Sequence, residues 1–289
     1  MKRLALLCLV LLTGCITPNV EPAMDTATVP PVVPAATATA EVYRLMPISG
    51  QNLTRSADGM MMVDVPAGEF QMGSEQGKDS NPVHAVYLDE FWIDQTEVTN
   101  GMYSKCVQMG LCTPPILKGS AFREHYFDDP QYADFPVVYV SLHQARAYCS
   151  WAGARVPTEA EWEKAARGTD GRNYPWGNEP PTCDLANYQG CNLDTVAVGS
   201  FPANASPYGA LDMAGNVWEY VNDWYGEAYY SASPRENPAG PEVGDGGYGL
   251  LRGGGWSEAA MYLYAWYRLD DGPDNMYPNY GFRCAVSGK

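Results

Sequence analysis

The pattern of apolar and polar positions divides the chain into three stretches. Leu4 to Leu12 is an unbroken apolar run, preceded by Lys2 and Arg3. Residues 16 to 57 show no apolar period and are rich in Pro, Ala, Thr and Val. Periodic segments begin near residue 58. Met61 to Met72 alternates as strands do, with a break at Pro66-Ala67-Gly68. Val86 to Ile93 predicts a strand from its β-branched and aromatic residues. Helix signals follow over Thr96 to Met109, with Thr99 as N-cap, and from Ser141 through Trp151, ended by Gly153. Pro157-Thr158-Glu159-Ala160-Glu161 opens a third helix, ended by Gly168. Thr158 and Glu161 have capping-box spacing, in which each side chain satisfies the other's free backbone N–H. Beyond Gly168 the period fades into Gly, Pro, Asn, Asp, Trp and Tyr, a composition that suits long ordered loops. The class predicted is mixed α and β, with no internal repeat.

The first run is too short for a bilayer, which takes roughly 20 residues. It has the form of a secretory signal's apolar core, so residues 1–14 are expected to be removed. The run ends in Leu12-Thr13-Gly14-Cys15, which resembles the lipobox of bacterial lipoproteins. That resemblance implies cleavage before Cys15, a diacylated thiol and a membrane anchor, periplasmic or at the cell surface. More than one acyl chain makes such an anchor stable. The alternative is an ordinary cleaved signal with a chance cysteine. Residues 15–57 then read as a tether that cannot offset its own ordering entropy. Extended at about 3.1 Å per residue, it reaches on the order of 120 Å. A strand is an alternative reading only near Val42 to Ile48. Residues 58–289 are long enough for one domain with its own core.

Charge narrows the partners. The chain carries −16, and losing Lys2 and Arg3 with the leader takes it to −18. Nucleic acid needs clustered basic charge, so it is not expected as a partner; cations or simple solubility are. Beyond the leader and Cys15 stand Cys106, Cys112, Cys149, Cys183, Cys191 and Cys284. An even number in an exported chain suggests disulfides. Cys106 with Cys112 and Cys183 with Cys191 are close enough for local loops, which leaves Cys149 with Cys284. Buried free thiols are the alternative.

Several strings occur in order: Val65-Pro66-Ala67-Gly68-Glu69-Phe70-Gln71-Met72-Gly73, Glu97-Val98-Thr99-Asn100, Arg155-Val156-Pro157-Thr158-Glu159-Ala160-Glu161-Trp162-Glu163 and Tyr174-Pro175-Trp176-Gly177. Asp212-Met213-Ala214-Gly215-Asn216-Val217-Trp218-Glu219, Arg252-Gly253-Gly254-Gly255-Trp256 and Gly281-Phe282-Arg283-Cys284 complete the set. Each is weak alone, but the ordered series resembles the formylglycine-generating enzyme, or sulfatase-modifying factor, family from about residue 60 onward. The resemblance implies an irregular, loop-rich α+β domain related to the C-type lectin fold. It also implies structural Ca²⁺, which takes six to eight hard oxygens at flexible angles. Asp212 and Glu219 would ligate through side chains, Gly215 and Val217 through carbonyls. A second site would fall on Asn187, Tyr188 and Asp194, although the loop there is shorter than in catalytic relatives. The Cys149–Cys284 pairing gains the same support.

The family's chemistry uses Cu(I) held by two cysteine thiolates, soft donors suited to that ion. Those positions read Glu258 and Leu263 here, and a nearby family serine reads Gly255. Copper-dependent formylglycine generation is therefore not expected. The iron chemistry of the ergothioneine-pathway relatives needs a histidine array, whereas His84, His125 and His143 are widely spaced. A periplasmic relative that matures the siderophore pyoverdine also lacks the copper pair. On its pattern Glu258 is the candidate acid or base, with Arg268 orienting it or binding an anion. Trp218, Trp224, Trp256 and Trp266, with Tyr225, Tyr229, Tyr230, Tyr262, Tyr264 and Tyr267, are candidates for a groove facing peptide, protein or glycan, or for core. There is no Gly-x-Ser-x-Gly elbow, phosphate-binding glycine-lysine loop or zinc spacing. Two functions are expected to compete: a non-catalytic, calcium-stabilised binding or scaffold module, and a diverged copper-independent modifying enzyme.

Overall fold

The computed structural model describes residues 49–288. The signal, Cys15, most of the tether and the alternative strand near Val42 to Ile48 lie outside the described residues. The body starts earlier than residue 58. Strand β1 (Leu53–Thr54) pairs with β2 (Met61–Val65). Arg55 is buried and reaches Asp58 and Asp94, each at 2.6 Å.

The apolar run Val86 to Ile93 is two strands, not one: β4 (His84–Leu88) and β5 (Phe91–Asp94). β4 pairs with β3 (Gly68–Met72), while β5 pairs with β2. The chain changes sheets at Asp89-Glu90, where two charged residues interrupt the apolar series and Asn237 accepts the Asp89 N–H at 2.9 Å.

The three helices follow their capping residues. α1 (Asn100–Gln108) starts after Thr99, whose hydroxyl accepts the Met102 N–H at 3.2 Å. That is later than Thr96, because the cap and not the apolar pattern fixes the first turn. α2 (Leu142–Trp151) and α3 (Glu159–Arg167) each begin with a complete capping box, on Ser141–Gln144 and Thr158–Glu161. Every residue of α3 is buried, including its charged ones. Lys164 donates to the carbonyls of Pro66 and Gly68 at 2.7 and 2.9 Å, pinning α3 over the β2–β3 turn. Burial pushes this ammonium down to about 8.

The region after Gly168, expected as loops alone, also carries strands. They are β6 (Trp218–Trp224), β7 (Gly249–Arg252), β8 (Leu269–Asp271) and β9 (Tyr280–Phe282), in sheet order β8-β7-β6-β9. β6 and β9 run parallel, the other neighbours antiparallel. A last strand, β10 (Ala285–Ser287), crosses to the edge of the other four-stranded sheet, whose order is β1-β2-β5-β10. One apolar cluster joins α3, including Trp162, to β3, β4 and Leu250. A second joins Tyr103, Tyr148 and Cys149 to Trp218, Tyr220 and Phe282. All three predicted disulfides form: Cys106–Cys112, Cys149–Cys284 and Cys183–Cys191. Among the described residues no helix is long and apolar enough to cross a membrane.

Candidate functional site

Arginines on or next to the later strands organise the acids of α3 and β6. Arg252, at the end of β7, is fully buried and pairs with Glu159 and Glu163. Arg268 pairs with Glu159 at 2.8 Å and lies over the Tyr230 ring, 4.5 Å from its centre. Burial pushes the Glu159 carboxyl upward, but the Arg268 and Arg252 charges outweigh it and the net displacement is downward. Arg283 grips Glu219 through Nε at 2.6 Å and Nη2 at 2.7 Å, and Trp162 Nε1 donates to the same carboxylate at 2.8 Å. These groups lock the two cores together. Arg268 is thus a structural partner of Glu159; it neither orients Glu258 nor stands free for an anion.

Glu258 sits on the loop that follows β7. That loop turns through Gly253 and Gly254, at φ +93° and +76°. A side chain at Gly254 would meet the Tyr262 carbonyl oxygen at 2.9 Å, so the close turn requires glycine. Trp256 N–H donates to the Asn216 carbonyl at 2.8 Å, and Glu258 N–H to that of Gly255 at 3.0 Å. The Glu258 carboxylate accepts from Asn279 Nδ2 at 3.1 Å and Ser257 Oγ at 3.2 Å. It faces a cleft of about 340 Å³ lined by Trp218, Tyr262, Leu269, Tyr277, Asn279 and Tyr280. Leu263 is fully buried.

The predicted calcium residues divide. Glu219 is engaged with Arg283 and Trp162, so its side chain does not fit a cation site. Asp212 Oδ2 accepts the Gly199 N–H at 2.6 Å. Burial and then the Asp212 and Glu219 charges push Glu97 well up, and its Oε2 is buried without a hydrogen-bond partner among the described residues. Gly215, at φ +85°, packs where a Cβ would lie 2.5 Å from the Asn187 carbonyl oxygen. No hydrogen bond among the described residues reaches the Gly215 or Val217 carbonyl. Asp212, Gly215 and Val217 therefore fit a hard cation in part. The second set does not fit. Asp194 accepts from Ser120, Phe122 and Thr195 at 2.5, 3.1 and 2.8 Å. Asn187 bonds Asn192 and the Asp194 carbonyl, and the Tyr188 carbonyl accepts from Cys191.

The aromatic residues do not form one groove. Trp218 and Tyr262 line the Glu258 cleft. Tyr225, Tyr264, Trp266 and Tyr267 line a second cleft of about 420 Å³ with Arg268, Asp79 and Asp270. Tyr230 is core, Trp256 packs edge-on against Phe122, and Trp224 lies beside Arg146. Sequence reasoning missed Tyr277, Asn279 and Tyr280. Their signal was position: they sit directly before Gly281-Phe282-Arg283-Cys284.

The fold has known counterparts. The sulfatase-modifying factor enzyme 1-like domain matches residues 49–287. The chain belongs to that family, whose irregular α+β fold it adopts. It is 35% identical over 283 residues to a formylglycine-generating enzyme of Streptomyces coelicolor, across 77% of this chain and 88% of that enzyme. It is 36% identical over 248 residues to the serine/threonine-protein kinase pkn1 of Chlamydia caviae, but spans only 38% of that kinase's length. Among solved structures, PvdO from Pseudomonas aeruginosa superposes with a TM-score of 0.71 at 27% identity, across 83% of this chain and 99% of PvdO.

Proposed function

We propose that this chain is an envelope-anchored lipoprotein, held by Cys15, whose domain is a non-catalytic binding or scaffold module. The supporting observation is the replacement of the copper thiolates by Glu258 and buried Leu263, while the six cysteines of the body are tied in disulfides. Among the described residues no thiol pair is left for Cu(I). Calcium enters this proposal as a structural ion at Asp212, Gly215 and Val217 only, and what it supplies is cross-linking of that turn. The test is incubation of the purified chain with copper, oxygen and a cysteine-containing sulfatase peptide, read by mass spectrometry. An unmodified peptide is expected; formylglycine would sink the proposal.

One observation favours a second reading, a copper-independent modifying enzyme. PvdO shares this fold along 99% of its length, and the cleft at the family's reaction position keeps a carboxylate. In that reading Glu258 is the acid or base, without Arg268.

A further inference from the structure

We infer that the Glu258 cleft binds an organic cation, an ammonium or guanidinium group on a small molecule or side chain. The inference deepens the binding-module reading and rests on it. It starts from a contrast in charge pairing. The buried acids Glu159, Glu163 and Glu219 each meet an arginine. Buried Asp223, which meets no base among the described residues, faces neither cleft and is held by the Glu159 N–H. Glu258 meets none: among the described residues no Lys, Arg or His lies within ion-pair distance of it. Its side-chain partners among the described residues are the neutral Asn279 and Ser257, which hold Oε1. A carboxylate fixed by neutral donors and facing a cleft presents one uncompensated negative charge.

The walls suit the same ligand. Trp218 meets Tyr262 at 68° and Tyr277 meets Tyr280 at 83°. Trp218 and Tyr280 are buried and also pack against Tyr267 and Tyr220, respectively, so the ring faces open to the cleft are those of exposed Tyr277 and half-buried Tyr262. Such faces attract a cation, by about 0.5–2 kcal/mol depending on desolvation. Tyr280 donates its hydroxyl hydrogen to Asp271 at 2.8 Å, so that donor is taken. No positively charged group lines the cleft, which leaves an anion without a partner. The cleft's size, about 340 Å³, falls in the range of small-ligand sites. The net charge of −16 draws cations toward the whole molecule.

The test is ligand-observed NMR on the full chain with n-butylammonium, n-butylguanidinium and tetramethylammonium chlorides. Neutral n-pentanol and sodium chloride serve as controls. Saturable binding of at least one organic cation is expected, with the three probes sorting primary amine from guanidinium and quaternary centre. Glu258→Gln should weaken it at least about tenfold (~1.4 kcal/mol), and Tyr277→Ala should weaken it too, both at unchanged melting temperature. Equal binding of n-pentanol, undiminished binding by folded Glu258→Gln, or no binding of any cation would overturn the inference. Such a failure with an unmodified sulfatase peptide removes the cation site alone; formylglycine formation removes the binding-module reading whatever the cations do.

Discussion

Both carboxylate oxygens of Glu219 are held by the guanidinium of Arg283, at 2.6 and 2.7 Å, in the buried seam between β6 and β9. Removing one member leaves the other charge buried and alone, which typically costs about 3–5 kcal/mol. Glu219→Gln and Arg283→Met should each lower stability on that scale in urea unfolding. The double substitution should recover part of the loss, since no unpaired charge then remains. Trp162→Phe removes a hydrogen bond to the same carboxylate and should cost about 1.5–3 kcal/mol. Equal losses for the double and summed single variants would show that the pair is not coupled.

The same pairing separates two roles of the Asp212 to Glu219 turn. A ligand that binds only the folded state stabilises it by mass action, about 2.7 kcal/mol at 100 times its Kd. Calcium should raise the melting temperature of the wild type and of Glu219→Gln by similar amounts, and should not raise that of Asp212→Ala. Chelator without effect on the wild type would remove calcium from the proposal. A calcium response lost in Glu219→Gln would mean that Glu219 leaves Arg283 for the ion.

Asp223 is buried, with Glu159 N–H donating to it at 2.8 Å and no base in ion-pair reach among the described residues. Burial, and then the Glu159 charge, push its carboxyl well up, and burial does the same to Glu97. A carboxyl raised on folding contributes stability that is present below its unfolded pKa and is lost as pH rises through the folded one. The domain should therefore melt higher near pH 5 than at pH 7.5. Asp58 and Glu159 are displaced downward, so below pH 4 their contribution falls away and stability should drop. Asp223→Asn keeps the acceptor and should raise the melting temperature at pH 7.5 by about 2–4 °C, the scale of 1 kcal/mol for a domain of this size. A flat pH profile in the wild type, or one Asp223→Asn leaves unchanged, would contradict this.

Disulfide removal should not be uniform. Cys149–Cys284 closes a separation of 135 residues, against 6 and 8 for the other two. In the chain-entropy account longer loops gain more, and loss of a native bridge typically costs about 2–5 kcal/mol. Cys149→Ser with Cys284→Ser should thus destabilise more than Cys183→Ser with Cys191→Ser in denaturant titration.

Anchoring is testable in cells. Cys15→Ala should move the chain from the membrane to the soluble fraction after cell breakage. Membrane association that persists in this variant would contradict lipidation at Cys15.

The helices were legible because their start signals are local: Ser141 with Gln144 and Thr158 with Glu161 are three residues apart and need no partner elsewhere. The later strands were not. β7 is buried at every position, so it shows no two-residue alternation to read. β6 pairs in parallel with β9 and shifts register between Tyr220 and Trp224, relationships set by distant chain. At the site, Glu258 was legible as a candidate because it follows the Arg252-Gly253-Gly254-Gly255-Trp256 string. The assignment of Arg268 to Glu159, 109 positions away, was not, because one-dimensional spacing does not say which of many acids an arginine meets. Glu219 misled for the same reason.

β9 and β10 stand side by side in sequence, yet close two different sheets, with Arg283 and Cys284 between them. Cys284 N–H donates to Asp94, 190 positions earlier. Strands β1, β2 and β5 thus lack their outer edge until the later β10 has been made. A chain emerging amino end first holds two incomplete sheets until this short hinge arrives, and then both close together. Nonlocal closure of this kind slows folding.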